Sequence, residues 1–144
     1  MEKQGIKVDL VDFHNEKQFK ASFTKNTKVV WLESPTNPTL KIYDIKQIAK
    51  ITHDKGAYLV VDNTFFTPFL CNPLELGADV VIHSGTKYLG GHSDVVIGAI
   101  CTNRKDLFDK YQFIMMSVGS GASPFDCYLT LRGTKTLAVR VQRS

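Results

Sequence analysis

A chain of 144 residues, 43% of them hydrophobic, is about one domain long and carries enough apolar side chains to build a core. Its net charge of +4 comes from 18 basic and 14 acidic residues spread along the whole length, with only a loose basic tail at Lys135 to Arg143, which argues for a solvated surface and against a nucleic-acid partner. Cys71, Cys101 and Cys127 lie outside any Cys-x-x-Cys spacing and read as reduced thiols, and with no apolar signal core and no apolar run near ~18 residues, the chain is expected to be cytoplasmic and free of membrane segments.

In chain order, Ile6 to Phe13 alternates apolar and polar residues and predicts a strand with one covered face. Asn15 is placed to cap a short helix running to Phe23. The β-branched and aromatic run Lys28-Val29-Val30-Trp31-Leu32-Glu33 predicts a strand that stops at Ser34-Pro35-Thr36-Asn37-Pro38, where two prolines stiffen the loop and hold Asn37 in one orientation. Asp44 opens a helical pattern through Ile45, Ile48, Ala49 and Ile51 that closes at Lys55-Gly56.

A strand over Ala57 to Val61 follows, and the strand, helix, strand order predicts parallel pairing with crossover helices. The runs at 29–32, 59–61 and 80–82 are apolar throughout, as strands covered on both faces should be. Asp94 to Cys101 is one more strand candidate. Too few residues separate it from the preceding strand for a helical crossover, so it is expected to run antiparallel. Helices are predicted over Lys105 to Met116, from Ser123-Pro124 toward Gly133, and from a cap at Thr134 to the last residues. The fold class is therefore α/β, a mostly parallel sheet flanked by helices.

The run Val80-Val81-Ile82 breaks into His83-Ser84-Gly85-Thr86-Lys87, and Tyr58-Leu59-Val60-Val61 ends in Asp62-Asn63-Thr64. An amine and a carboxylate thus each stand where a strand gives way to a loop, the edge at which open α/β sheets collect ligands. Partial burial would make Lys87 a nucleophile toward carbonyls, because desolvation penalises its charged form. Singly, Lys87 reads as a solvated turn lysine, Asp62 as a strand-end cap, and Ser84 and Thr86 as turn formers. Jointly they match what pyridoxal phosphate requires: an amine, an anion opposite the ring nitrogen and hydroxyl donors for the phosphate, with Gly85 allowing close backbone approach. Competing motifs are absent. Lys87 lacks the glycine spacing of a nucleotide-binding P-loop, and Pro124 stands where a dinucleotide fingerprint needs its third glycine. His14, His53, His83 and His92 form no His-x-x-x-His pair, so no metal site is expected.

Asp79 to Ser93 resembles, position for position, the cofactor-lysine signature of the cysteine and methionine metabolism family of pyridoxal-phosphate enzymes, the trans-sulfuration enzymes. The resemblance extends to Trp31–Pro38, Val60–Thr64, Ser123–Tyr128, Arg132-Gly133 and Lys135-Thr136-Leu137, and so to nearly the whole chain. It implies that Lys87 is the Schiff-base lysine and proton carrier, that Asp62 pairs with the ring nitrogen, and that Ser84 and Thr86 hold the phosphate. It also implies that Asn37 lies near the cofactor's 3-hydroxyl and the substrate carboxylate, and Thr64 beside the ring.

The fold implied is the large domain of the aspartate-aminotransferase type, assembled as a homotetramer of catalytic dimers, of which residues 1–144 resemble the central part. The phosphate loop and stacking tyrosine upstream, the tyrosine–arginine arm of a neighbouring subunit and the carboxyl-terminal domain have no counterpart in this sequence. Within the family, Ser123 to Tyr128 is most similar to the γ-lyases that cleave cystathionine to cysteine, 2-oxobutanoate and ammonia. The γ-synthases, β-lyases and methionine γ-lyases share nearly all of these residues, so the substrate implied is a small sulfur-containing amino acid. A different class of reading stays open, a catalytically silent module that associates with full-length subunits.

Overall fold

The computed structural model describes residues 4–144. Asn15 caps the first helix, α1 (Glu16–Ser22), by accepting the Gln18 amide on its side chain. The strand β1 (Val29–Glu33), the helix α2 (Ile45–Asp54) and the strand β2 (Tyr58–Asp62) follow. Asp44 caps α2 through the Gln47 amide at 2.9 Å, and the helix ends just before Gly56, as its sequence predicts. A four-residue helix, α3 (Thr67–Leu70), leads to β3 (Val80–Ser84), and the chain returns along β4 (Gly98–Cys101). Three helices, α4 (Lys105–Val118), α5 (Pro124–Thr134) and α6 (Leu137–Arg143), complete the described chain.

The strands form one sheet in the order β1-β2-β3-β4. The first three are parallel, and β4 is antiparallel to β3. Register is set so that Glu33 stands beside Asp62, and Asp62 beside Ile82. The carboxyl ends of three adjacent strands therefore fall at one edge. Side chains alternate between the two faces. Leu32, Leu59, Val61 and Val81 pack on one face with Phe19 of α1 and Ile45, Ile48 and Ile51 of α2. On the other, Val60 and Val80 pack with Leu107 of α4, flanked by Ile82 and Tyr111. Helices thus cover both faces of the sheet centre, and the doubly covered strands keep their continuous apolar runs.

At the opposite edge, Asp79 ties β2 to β3. Its carboxylate accepts the Leu59 amide at 2.8 Å, bonds His53 Nε2 at 2.9 Å and takes Arg104 at 3.3 Å, while Arg104 lies 4.8 Å over the Tyr58 ring. Such a nearly buried carboxylate is tolerable because both of its oxygens find donors.

Four sequence expectations are corrected. The alternating stretch from Ile6 to Phe13 is not a strand; Ile6, Val8 and Leu10 are exposed, and the stretch pairs with no strand of the sheet. The strand expected over Asp94 to Cys101 is formed only by its last four residues, because Ile97 is engaged instead by the Thr86 hydroxyl. Strand β1 is covered on one face alone, with Val29 and Trp31 exposed on the other. The last helix is capped at Thr136, not Thr134, whose hydroxyl bonds back to Thr130 within α5.

Leu59 is fully buried between β1 and β3 on the α2 face. Leu59→Ala is expected to cost about 2 to 5 kcal/mol of folding stability through lost burial and the cavity left behind, read as a lowered urea midpoint.

Candidate active site

All six residues singled out in the sequence stand at or just beyond the carboxyl ends of β1, β2 and β3. Asn37 sits in the loop after β1, its amide donating to the Glu33 carboxylate at 3.2 Å. Asp62 ends β2, and one of its oxygens accepts the Thr64 amide at 3.0 Å. The Thr64 hydroxyl in turn accepts the Ser84 amide at 2.8 Å, so Thr64 links the carboxylate on one strand to the serine on the next. Asp62 and Ser84 also share a sheet face, because Asp62 registers with Ile82 and side chains repeat every second residue. Asn63, fully buried, holds the following loop by donating to the carbonyls of Thr67 and Cys71. Thr67 is kept at φ +62°, a costly conformation for a β-branched residue.

Beyond β3 the backbone turns at once. The Lys87 amide donates to the Ser84 carbonyl at 3.1 Å, and the Thr86 hydroxyl is engaged with both the amide and the carbonyl of Ile97. A side chain at Gly85 would meet Ile97 Cγ2 at 2.7 Å, so the glycine is required for the approach of the segment leading into β4. Lys87 is exposed, which differs from the desolvated amine expected from the sequence.

Asn37, Thr86 and Lys87 line one open cavity of about 1300 Å³, together with Phe65, Asp126 and Arg140. Asp62, Thr64 and Ser84 lie outside its lining, at the neighbouring strand ends. Among the described residues, Lys87 Nζ, Ser84 Oγ and the second oxygen of Asp62 have no hydrogen-bond or ion-pair partner. An unpaired amine, a half-buried carboxylate and a free hydroxyl at one sheet edge are a donor set that fits a pyridine aldehyde carrying a phosphate.

A profile of the Cys/Met metabolism PLP-dependent enzymes matches residues 1–144. The chain belongs to that family. A cystathionine gamma-lyase from Dictyostelium discoideum is 52% identical over 137 residues, covering 95% of this chain and 35% of the relative. A probable cystathionine gamma-synthase from Herpetosiphon aurantiacus is 44% identical over 142 residues, covering 99% of this chain and 44% of the relative. Among solved structures, cystathionine gamma-lyase from Lactobacillus plantarum complexed with L-serine superposes with a TM-score of 0.89 at 41% identity, covering 91% of this chain and 34% of that one. The chain thus spans between a third and a half of the length of these Cys/Met metabolism proteins. Among its described residues, no helix is long and apolar enough to cross a membrane and no cluster of metal-ligating side chains occurs.

Sequence reasoning missed Phe65, Asp126 and Arg140 as lining residues. Arg140 had been visible only as part of a loosely basic tail; a contact that brings it to the Lys87 turn leaves no local pattern. His83, between Ile82 and Ser84 on β3, is 6% exposed, and burial holds its imidazole below the ordinary value of 6.5 while the Asp62 carboxylate pulls it partly back up. The folded chain thus favours the neutral ring, and the unfolded chain binds the proton first as pH falls. The stability this group contributes is fully present above the unfolded value and is lost on acidification through the lower folded value. Urea midpoints compared at about pH 7.5 and about pH 5 are expected to drop more in the parent chain than in His83→Gln, which has no titrating ring.

Proposed function

We propose that this chain is the cofactor-bearing centre of a pyridoxal-phosphate-dependent carbon–sulfur lyase of the cystathionine γ-lyase type, corresponding to the central part of the large domain. The observation that carries the reading is the exposed, unpaired Lys87 amine on the turn directly after β3, at the same sheet edge as the Asp62 carboxylate. Pyridoxal phosphate, when bound, supplies an electron sink for the charge left on a substrate carbon that loses a proton. Lys87 is the residue that would hold its aldehyde carbon and afterwards carry the α-proton between substrate carbons. Asp62, oriented by the Thr64 amide, would keep the ring nitrogen protonated through its second oxygen. Ser84 offers a free hydroxyl to the phosphate. Thr86 offers one already shared with Ile97. Asn37, which lines the same cavity as Lys87, is suited to the 3-hydroxyl or a substrate carboxylate, and Thr64 to the ring's flank.

The substrate class is a small sulfur-containing amino acid, with cystathionine favoured by the γ-lyase relative and γ-synthase, β-lyase or methionine γ-lyase chemistry as the alternatives. The full-length protein is proposed as a cytoplasmic homotetramer built from two dimers.

A second reading has its own observation. Trp31, Phe113, Met116 and Leu131 are each more than half exposed, and such apolar surface favours association. The chain alone would then be a catalytically silent module that docks on full-length subunits.

Incubation with pyridoxal phosphate followed by borohydride is expected to fix a pyridoxyl group on Lys87 in the parent chain. In Lys87→Ala the label at that peptide is expected to vanish, and a parent chain labelled only at other lysines would overturn the assignment. Release of 2-oxobutanoate from cystathionine by this chain alone would remove the silent-module reading.

A further inference from the structure

We propose that Arg140 is a positioning residue for Lys87: its guanidinium fixes the turn that carries the amine onto the junction between α5 and α6. The proposal deepens, and rests on, the reading of Lys87 as the cofactor-binding amine. The turn itself is held by short-range bonds, Gly90 amide to Gly85 carbonyl at 2.7 Å and Gly91 amide to Lys87 carbonyl at 2.8 Å. Thr86, at the start of the turn, is already placed by its bonds to Ile97, but these local bonds leave the placement of the residues after Lys87 open. Arg140 supplies the placement from 52 positions away in the chain, donating from Nη1 to the Tyr88 carbonyl at 2.7 Å. Its other two contacts anchor the guanidinium: Nη2 donates to the Gly133 carbonyl at 2.8 Å, and Nε to the Thr136 hydroxyl at 3.0 Å.

A planar fork with an acceptor at each of its three nitrogens is rigid in a way that an ammonium on a flexible stem is not. The packing agrees with the hydrogen bonds. Gly133 is buried, and a methyl group there would overlap the Gly90 carbonyl oxygen. The Thr134 hydroxyl reaches the Leu89 carbonyl at 3.3 Å. Carbonyls of three successive turn residues, 88 to 90, thus rest on the α5–α6 junction, and Arg140 makes the shortest of the contacts. Lys87 and Arg140 line the same cavity. An amine must meet its carbonyl partner within about 3 to 3.5 Å, so a turn free to shift by an ångström lowers the rate and the occupancy of the bond it forms.

The test uses the parent chain, Arg140→Ala and Arg140→Lys, each incubated with pyridoxal phosphate, reduced with borohydride and peptide-mapped, with amide hydrogen exchange measured on cofactor-free protein. In Arg140→Ala, label at Lys87 is expected to fall about tenfold while label at exposed lysines elsewhere stays constant. Exchange is expected to accelerate at Gly90 and Gly91 and to remain unchanged in α2 and β2. Arg140→Lys keeps the charge without the fork and is expected to follow Arg140→Ala. Lys87 labelling within twofold of the parent in Arg140→Ala, or full recovery in Arg140→Lys, would overturn the proposal. So would equal acceleration of exchange throughout the sheet, which would make Arg140 a matter of general stability. A parent chain that takes no label at Lys87 defeats the cofactor reading, and the exchange pattern at Gly90 and Gly91 then decides the Arg140 contact by itself.

Discussion

Parallel pairing of β1, β2 and β3 is the constraint from which the site follows. Parallel strands point their carboxyl ends the same way, so residues that end three separate strands arrive at one edge without any contact having to bring them there. The pairing is held from three sides. The α2 face is filled by Leu32, Leu59 and Val61, all fully buried, at roughly 1.5 to 3 kcal/mol each for removal from water. The α4 face is filled more thinly, by Val60, Val80 and Leu107. At the far edge, Asp79 joins an amide of β2 to the start of β3 and keeps the strands from sliding.

What the site adds to this scaffold is a set of short polar links. Thr64 accepts from Ser84 and donates to Asp62, so the acid, the hydroxyl and the start of the lysine turn move as one unit. Fixing charged and hydroxylated groups before a ligand arrives spares binding the entropic cost of ordering them. The same economy accounts for Asn63, which spends its amide on two loop carbonyls and holds the strained Thr67 in place. The lysine is treated differently. Its turn is fixed, but its amine is left open and unpaired, an arrangement suited to a group that must form and exchange a covalent bond.

The fold was legible wherever local chemistry and tertiary demand agreed. The caps at Asn15, Asp44 and Ser123 stand where the sequence places them, because a side-chain oxygen next to a free amide needs no distant partner. The antiparallel return of β4 followed from chain length alone. The stretch from Ile6 to Phe13 misled because alternation states which residues could face a core and says nothing of whether a neighbouring strand exists to pair with them. Asp94 to Ile97 misled for a related reason: its apolar run is strand-like, yet the Thr86 hydroxyl competes for the Ile97 backbone.

The sequence by itself determined the three parallel strands, the capped helices around them and the candidate site residues, since each rests on signals within a few residues of one another: periodicity, caps, and a long lysine-centred motif. Only the tertiary structure decided that Trp31 faces out, that Lys87 is exposed, and that Asn37, Thr86 and Lys87 share a cavity from which Asp62 and Ser84 stand aside. Arg140 belongs to this second group as well. A guanidinium that reaches a carbonyl 52 positions earlier is placed by how two helices stack against a turn, and nothing in the residues beside it encodes that contact.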